Sequence, residues 1–490
     1  MLLSSLALVA AAGCDNRAAP GDSGEIVDPG RTGGRGGGPS RTGGGGGGDG
    51  SGAGGGGDPG PGAAGGSAGR AGEGPGVDAA APPDGTPTGD VPAPEGGLPV
   101  LVPRTVVLDA TELARARQRL LAGDPAVRAA LDKLLEVAEP ALEAGPWSVM
   151  DKTTVPPSGD KHDYLSLSRY YWPNARASNG CPYVHRDGMT NPDTTSNKYD
   201  HASRHAAMDA IYNLAFAYYF TGQARYAERA ALVARTWFLD PATAMNPNVD
   251  FGEYVPCFRD GGRTGVLNWT ELIGQALDGI AVLDAGAPGW LATDQERMRA
   301  WVTSFLDWHL TSRLGIEEAE STNNHATWYD VGAGAMMVYL GRTREAAALM
   351  ERAKTRRIAS QVRGDGSQPE ELRRSNSWSY SNWNIEGLCR LAFTAERVQV
   401  DLWSYTAPGG GTLAKAAEYL IAGATRGRQG WPHPQASAFE QSWALSPLQA
   451  AAKFGGSARA RAALPDVPVA PEGDLWPLLP VCTAAAIQPN

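Results

Sequence analysis

Twice along the chain a stretch with helical periodicity ends at a glycine, and a second such stretch begins at once. In 203–222, Ala207, Ile211, Leu214 and Tyr218 recur at the 3.6-residue period, and Gly222 stands where a left-handed C-cap belongs. Residues 223–239 follow as a second helix. The arrangement returns at 327–340, where Val331, Ala335 and Val338 precede Gly341, and 343–358 carries Ala346, Leu349, Met350 and Ala353. Ile385, Leu388, Cys389 and Ala392 mark a third inner helix, and 269–284, 295–311 and 412–424 read as further helices. No run of alternating strands competes. An aromatic-rich helix, a glycine turn and an Ala- and Arg-rich helix, repeated, are the mark of a stacked helical architecture. The expected class is all-α: an incomplete (α/α) toroid built from helical hairpins.

Composition divides the chain. It has 490 residues and 63 glycines, and between 21 and 97 it is Gly, Pro, Ala, Ser and Asp with almost no large apolar side chain. Such a stretch buries too little surface to offset its ordering entropy, so 15–97 is expected to be a disordered Gly/Pro-rich linker. Residues 98–490 are rich in Trp, Tyr, Leu and Ala and long enough for one large domain. The apolar run 2–13 is too short to span a bilayer and stops at Ala11-Ala12-Gly13-Cys14. That pattern is similar to a bacterial lipobox. Residues 1–14 are therefore expected to be a lipoprotein-type signal, with Cys14 as the lipidated residue and the lipid as the only membrane contact. The alternative is a plain secretory signal cleaved nearby. Either way the protein is exported across the inner membrane, to the periplasm or the cell surface.

A formal net charge of −10 argues against a nucleic-acid partner. An anionic substrate would need positive charge gathered locally in a cleft. Cys181, Cys257, Cys389 and Cys482 have no CxxC or zinc-type spacing, so one or two disulfides are expected, with no pairing legible.

Chemistry-bearing residues cluster in three places. The polar, aromatic stretch 158–197 is too long for a mere connection. Its Tyr170, Tyr171 and Trp172 offer flat faces for sugar rings, and its Lys161, His162 and Arg169 offer charge for carboxylates; a packed lid is the plainer reading. Ser321-Thr322-Asn323-Asn324-His325 stands directly before a helix. One N-cap suffices, and the surplus places an amide and an imidazole where helix N–H groups and the macrodipole favour an anion. In 365–380, Ser367 and Glu370 fit a capping box, and a continuous helix would put Arg373 and Tyr380 two turns apart on one face. His201 and His205 share a helix face; with no third ligand nearby, substrate contact or capping outweighs a metal there.

Together with Ser158-Gly159-Asp160-Lys161-His162-Asp163-Tyr164, Met245-Asn246-Pro247-Asn248 and Asn323-Asn324-His325-Ala326-Thr327-Trp328-Tyr329-Asp330, these segments resemble the alginate lyase family of polysaccharide lyases. The similarity runs in the same order through most of 156–395. It implies an incomplete α/α toroid, an anionic polysaccharide substrate and a catalytic Asn, His, Arg and Tyr. Carried over by motif, these are Asn324, His325, Arg373 and Tyr380, with Arg374 as a neighbouring candidate. Lys161, His162, Tyr164, Tyr171, Trp172, His201 and His205 are the expected substrate contacts. Ser381 follows Tyr380 where the family usually has His, which widens the implied substrates from alginate and polymannuronate to other 1,4-linked uronans such as glucuronan.

The resemblance implies β-elimination, for which no metal or cofactor is required. The proton on C5 is weakly acidic beside a charged C6 carboxylate, so neutralising that carboxylate stabilises the developing dianion. A base takes the proton and an acid protonates O4, leaving a 4,5-unsaturated uronate end. Two other readings compete. A glycoside hydrolase on a similar toroid would draw a carboxylate pair from Glu370, Glu371, Asp365 and Asp330. A non-catalytic surface glycan-binding lipoprotein would need the aromatic stretch alone.

Overall fold

Two short helices open the described part of the chain. Asp109 accepts from the backbone N–H groups of Thr111 and Glu112 to start α1 (Ala110–Leu121), and Asp124, followed by a proline, starts α2 (Pro125–Ala141). A computed structural model describes residues 101–258, 261–263 and 267–482. The expected signal, Cys14 and the whole of the expected linker lie outside the described residues.

After α2 come α3 (His201–Thr221) and α4 (Ala224–Ala234), the latter continued by a π-turn at Arg235–Leu239. Next are α5 (Leu267–Asp284), α6 (Ala292–Thr311), α7 (Arg313–Ala319), α8 (Asn324–Leu340) and α9 (Thr343–Ala353). The chain ends through α10 (Pro369–Leu372), α11 (Ser377–Glu396), α12 (Leu413–Tyr419), α13 (Ile421–Arg426), α14 (Leu445–Lys453) and α15 (Ala458–Ala463). Gly222 and Gly341 adopt φ 72° and 76° and turn α3 into α4 and α8 into α9, as their positions predict. The stretch 412–424 differs: it breaks at Leu420 into α12 and α13.

Among the described residues α3, α5, α8 and α11 form the inner row, each packed on the next, with α2, α4, α6 and α9 outside them. The inner helices are buried nearly all round; α3 and α8 are largely apolar, while the first half of α11 buries polar groups such as Asn382, Asn384 and Glu386. Close approach depends on missing side chains. A Cβ on Gly332 of α8 would come 2.5 Å from Thr270 of α5, and one on Gly387 of α11 would come 2.9 Å from Thr327 of α8. Gly279 of α5 meets Ile211 of α3, and Gly334 of α8 meets Thr394 of α11. These pairings keep the same order along both partners, so the inner helices run parallel and their N-termini share one end. The fold is the expected incomplete α/α toroid.

Four short strands, absent from the sequence reading, lie at that end. β1 (Leu165–Leu167) pairs in parallel with β4 (Phe251–Tyr254), and β2 (Tyr171–Trp172) pairs antiparallel with β3 (Val184–His185). A disulfide between Cys181 and Cys257 ties the long stretch to the segment after β4, with Cα atoms 6.0 Å apart. Cys389 and Cys482 are free and buried. Beneath β1, Lys152 and Asp200 form a fully buried ion pair at 3.0 Å, and Asp200 also accepts from Leu165 N–H.

Candidate active site at the helix N-termini

The first turns of α8 and α11 face each other across this end. Asn323 caps α8 by accepting from His325 N–H at 3.2 Å, which leaves the two residues after it free of that duty. Asn324 is fully buried. Both oxygens of Glu371, just after α10 begins, are turned to it: Oε1 accepts from Asn324 N–H at 2.8 Å and Oε2 from its Nδ2 at 2.7 Å. His325 keeps a quarter of its side chain open, 25%, and its Nδ1 lies 3.0 Å from the buried Glu318 carboxylate. Burial opposes charge on the imidazole, but Glu318 carries its pKa above the ordinary value.

The opposite corner is built around Tyr380 in the first turn of α11. Its hydroxyl lies 2.9 Å from the Tyr170 hydroxyl and accepts from Arg374 Nη2 at 2.9 Å. The guanidinium also stacks on the Tyr380 ring, 3.8 Å from its centroid. Asp187, from the long stretch, holds Arg374 at 3.3 Å and accepts from Ser375 Oγ at 2.7 Å. Burial pushes the Tyr380 phenol well above its usual range; Tyr170 adds to this, and Arg374 pulls the other way. Desolvation outweighs the cation.

One correction concerns the continuous helix through Arg373 and Tyr380. The helix does not continue from 370 to 380: α10 ends at Leu372, and residues 373–376 are non-helical before α11 begins. That break turns Arg373 outward, 69% exposed and paired with Glu370, while Arg374, 26% exposed, folds over Tyr380. The two corners belong to one site, since His325 and Glu371 both lie within electrostatic reach of Arg374. Arg169 acts on Tyr380, and Arg169, Arg263 and His325 act on the half-buried Glu253 of β4. Positive charge is thus gathered locally on an acidic chain.

The remaining expected contacts scatter. Lys161 donates to Met150 O at 2.8 Å and His162 Nδ1 lies 2.6 Å from Ala244 O, so both are spent on the backbone. Tyr164 sits in the main core at 1% exposure, where burial raises its phenol to about 12. Lys161 and His162 thus each hold one backbone carbonyl, and Tyr164 is enclosed in the core. Tyr171 is buried under the Arg263 guanidinium, 4.9 Å from its ring centroid. Trp172 stays half-buried, its Nε1 donating to Met189 O at 2.9 Å. The His201 and His205 ring centroids lie 4.6 Å apart, the rings tilted by 55°. His205 Nε2 also lies 3.3 Å from Glu271 and beside Arg204, whose Nη2 donates to the same carboxylate at 2.8 Å. Burial and Arg204 depress His205 to about 4, and despite burial His205 and Arg204 hold Glu271 down to about 2.

The carboxylates a hydrolase would need are committed elsewhere. Glu371 holds Asn324, Glu370 pairs with Arg373, Asp330 is locked on the buried Arg357 at 2.8 Å, and Asp365 caps Ser367 N–H at 2.9 Å. Sequence reasoning missed Glu318, Glu253 and Asp187, and weighed Glu371 only as an acid. The one available signal was a run of acidic residues ahead of a polar helix start, which is too common to single them out.

The helical architecture recurs in known proteins. No curated protein sequence matches the chain. Among solved structures, an alginate lyase from Bacteroides ovatus superposes with a TM-score of 0.72 at 29% identity, covering 78% of this chain and 100% of that one. Alginate lyase A1-III, an enzyme of Sphingomonas species A1, matches as a histidine variant complexed with a tetrasaccharide. Its TM-score is 0.50 at 18% identity, covering 78% of this chain and 97% of that one, a likeness of fold alone. The Alginate lyase family model matches residues 148–431, more than half of the sequence. With that match and a site assembled where the motifs lie, the chain belongs to the alginate lyase family and is a polysaccharide lyase.

Proposed function

We propose that the enzyme cleaves a 1,4-linked uronic-acid polymer by β-elimination, with Asn324, His325, Arg374 and Tyr380 as its catalytic residues. The observation that carries this is the pairing of Arg374 with the Tyr380 hydroxyl opposite the Asn324–His325 corner. A uronate between the corners meets cations and an amide on its carboxylate side and a phenol on its C4–C5 side. Arg374, the amide proton of Asn324 not taken by Glu371, and the His325 imidazolium favoured by Glu318 neutralise the carboxylate, so C5–H can ionise. With the Arg374 cation at its oxygen countering the upward push of burial, Tyr380 reacts as the phenolate and takes that proton; the C5–H electrons form the C4=C5 bond, the C4–O4 bond breaks, and the phenol returns the proton to O4. One side chain does both when the proton and O4 are syn, as in polymannuronate and glucuronan. His325, kept cationic, is the weaker candidate for the base that an anti elimination of guluronate needs.

Trp172 and Tyr171 at the rim remain proposed sugar contacts, with His201 and His205 deeper in the same end. Cys14 is proposed as a lipid anchor holding an exported enzyme at the periplasmic or outer face of a membrane; among the described residues no helix is long and apolar enough to cross one.

Incubation with polymannuronate, polyguluronate, alginate and glucuronan tests the reaction. Ultraviolet absorbance from the new conjugated double bond is expected with the first and last polymers. Saturated products alone would mean hydrolysis and end the proposal.

A further inference from the structure

Glu371 is the buried group closest to the catalytic corner that the elimination itself leaves unused. Its carboxylate is 1% exposed and touches no space a polymer can enter. Its two oxygens do different things to one residue. Oε1 accepts the backbone N–H of Asn324, a free donor in the first turn of α8, and Oε2 accepts Nδ2 of the Asn324 side chain. The first bond is a helix cap made from another segment. The second decides which end of the amide is which. Two oxygens cannot face each other without a proton between them, so a carboxylate here forces Asn324 to turn its NH₂ to Glu371. The second Nδ2 proton and Oδ1 then take fixed directions, and Oδ1 has no hydrogen-bond partner among the described residues.

We propose that Glu371 is a positioning residue that fixes the amide orientation of Asn324, so that an N–H rather than a carbonyl oxygen meets the substrate carboxylate. This rests on the elimination reading for the role of Asn324, but the orientation itself does not. A buried carboxylate is costly to keep charged, and burial does raise Glu371 above the ordinary carboxylate range, while the two bonds from Asn324, with Arg374 and His325, oppose that rise. A helix cap alone would not require this. A neutral Ser or Asn caps as well and adds no charge beside the substrate's own.

Glu371→Gln separates the two roles. Its carbonyl oxygen still accepts Asn324 N–H, so the cap survives. Its NH₂ now faces the Asn324 side chain and turns that amide over, pointing Oδ1 at the uronate. The expected result is a fall in kcat/KM of about 100-fold or more, the loss seen when one transition-state donor is removed, with the melting temperature nearly unchanged. In an Asn324→Ala background the same change is expected to cost less than about threefold, because Glu371 acts through Asn324. Multiplying losses would overturn the proposal even with an active wild-type enzyme, whereas an absence of unsaturated product from wild type would overturn the elimination reading instead. A readout independent of turnover is the Asn324 side-chain amide resonance in ¹⁵N-labelled protein. It is expected to shift and lose protection from exchange in Glu371→Gln; an unchanged resonance would refute the positioning role.

Discussion

The two corners of the site are built by different means. The Asn324–His325 corner is held from below, by the Glu371 and Glu318 carboxylates buried in the helical scaffold. The Arg374–Tyr380 corner is held from above, by Tyr170 and Asp187 of the long stretch between α2 and α3. One is therefore preorganised by the toroid itself, and the other is completed by a segment that the disulfide and the β1–β4 pair tie to the chain around and after β4. The difference teaches that the placement of Asn324 and His325 is a property of the helical scaffold, while the placement of Arg374 and Tyr380 depends on a loop being in place.

The largest effect that would break this comparison is at Tyr380. Tyr380→Phe keeps the ring and its packing but removes the only hydroxyl proposed to move the proton. Turnover is expected to drop by about a thousandfold or more, with binding of an oligouronate by calorimetry near normal. Appreciable residual turnover would strip Tyr380 of its role.

Next comes the choice of arginine. Arg374→Ala is expected to lower kcat/KM by about 100- to 1,000-fold, as loss of a charged transition-state contact does. Arg373→Ala, which loses only an exposed pair with Glu370, is expected to change activity by less than about twofold and stability by under about 0.5 kcal/mol. The reverse order in a kinetic assay would restore the arginine that motif spacing favours.

The preorganised corner is tested by pH. His325 has its pKa raised by Glu318, so its cation is present below that value and is lost as pH rises through it. An activity that needs the cation falls on this alkaline side. Glu318→Gln removes the partner carboxylate, and the falling limb of kcat/KM is expected to move toward acid by about one unit. A limb that stays put would take the imidazolium out of the reaction.

The smallest effect belongs to the loop-held corner. Asp187→Ala releases Arg374 and Ser375 from the long stretch. KM is expected to rise about three- to tenfold, with kcat changing less, since residues that position a loop act mainly on substrate capture. A large kcat defect with KM unchanged would show that the loop does more than dock.

How much of this was legible without coordinates follows from how local each signal is. The inner helices α3, α8 and α11 announced themselves through periodicity, and Gly222 and Gly341 through the one backbone conformation glycine favours. Asn324 and His325 are adjacent in sequence, and a surplus of cap residues at one helix start sufficed to find them. Arg374 was not settled by spacing, because a seven-residue rule presumes a continuous helix, and the chain leaves helix at 373–376. Lys161 and His162 carried the right chemistry in the right motif, yet Met150 O and Ala244 O claim them. Those carbonyls lie in other segments, and nothing in the motif names its partner.

By itself, then, the order of residues determined the individual hairpins and the stretch of chain that supplies the candidate site, since each depends on side chains within a turn or two of one another. Only the tertiary structure decided which arginine reaches the phenol, which carboxylates stand behind the catalytic amide and imidazole, and which polar groups are already satisfied. Those outcomes are set by contacts between segments tens to hundreds of residues apart, as between Tyr170 and Tyr380. At that separation, packing and desolvation choose the partner and residue type does not.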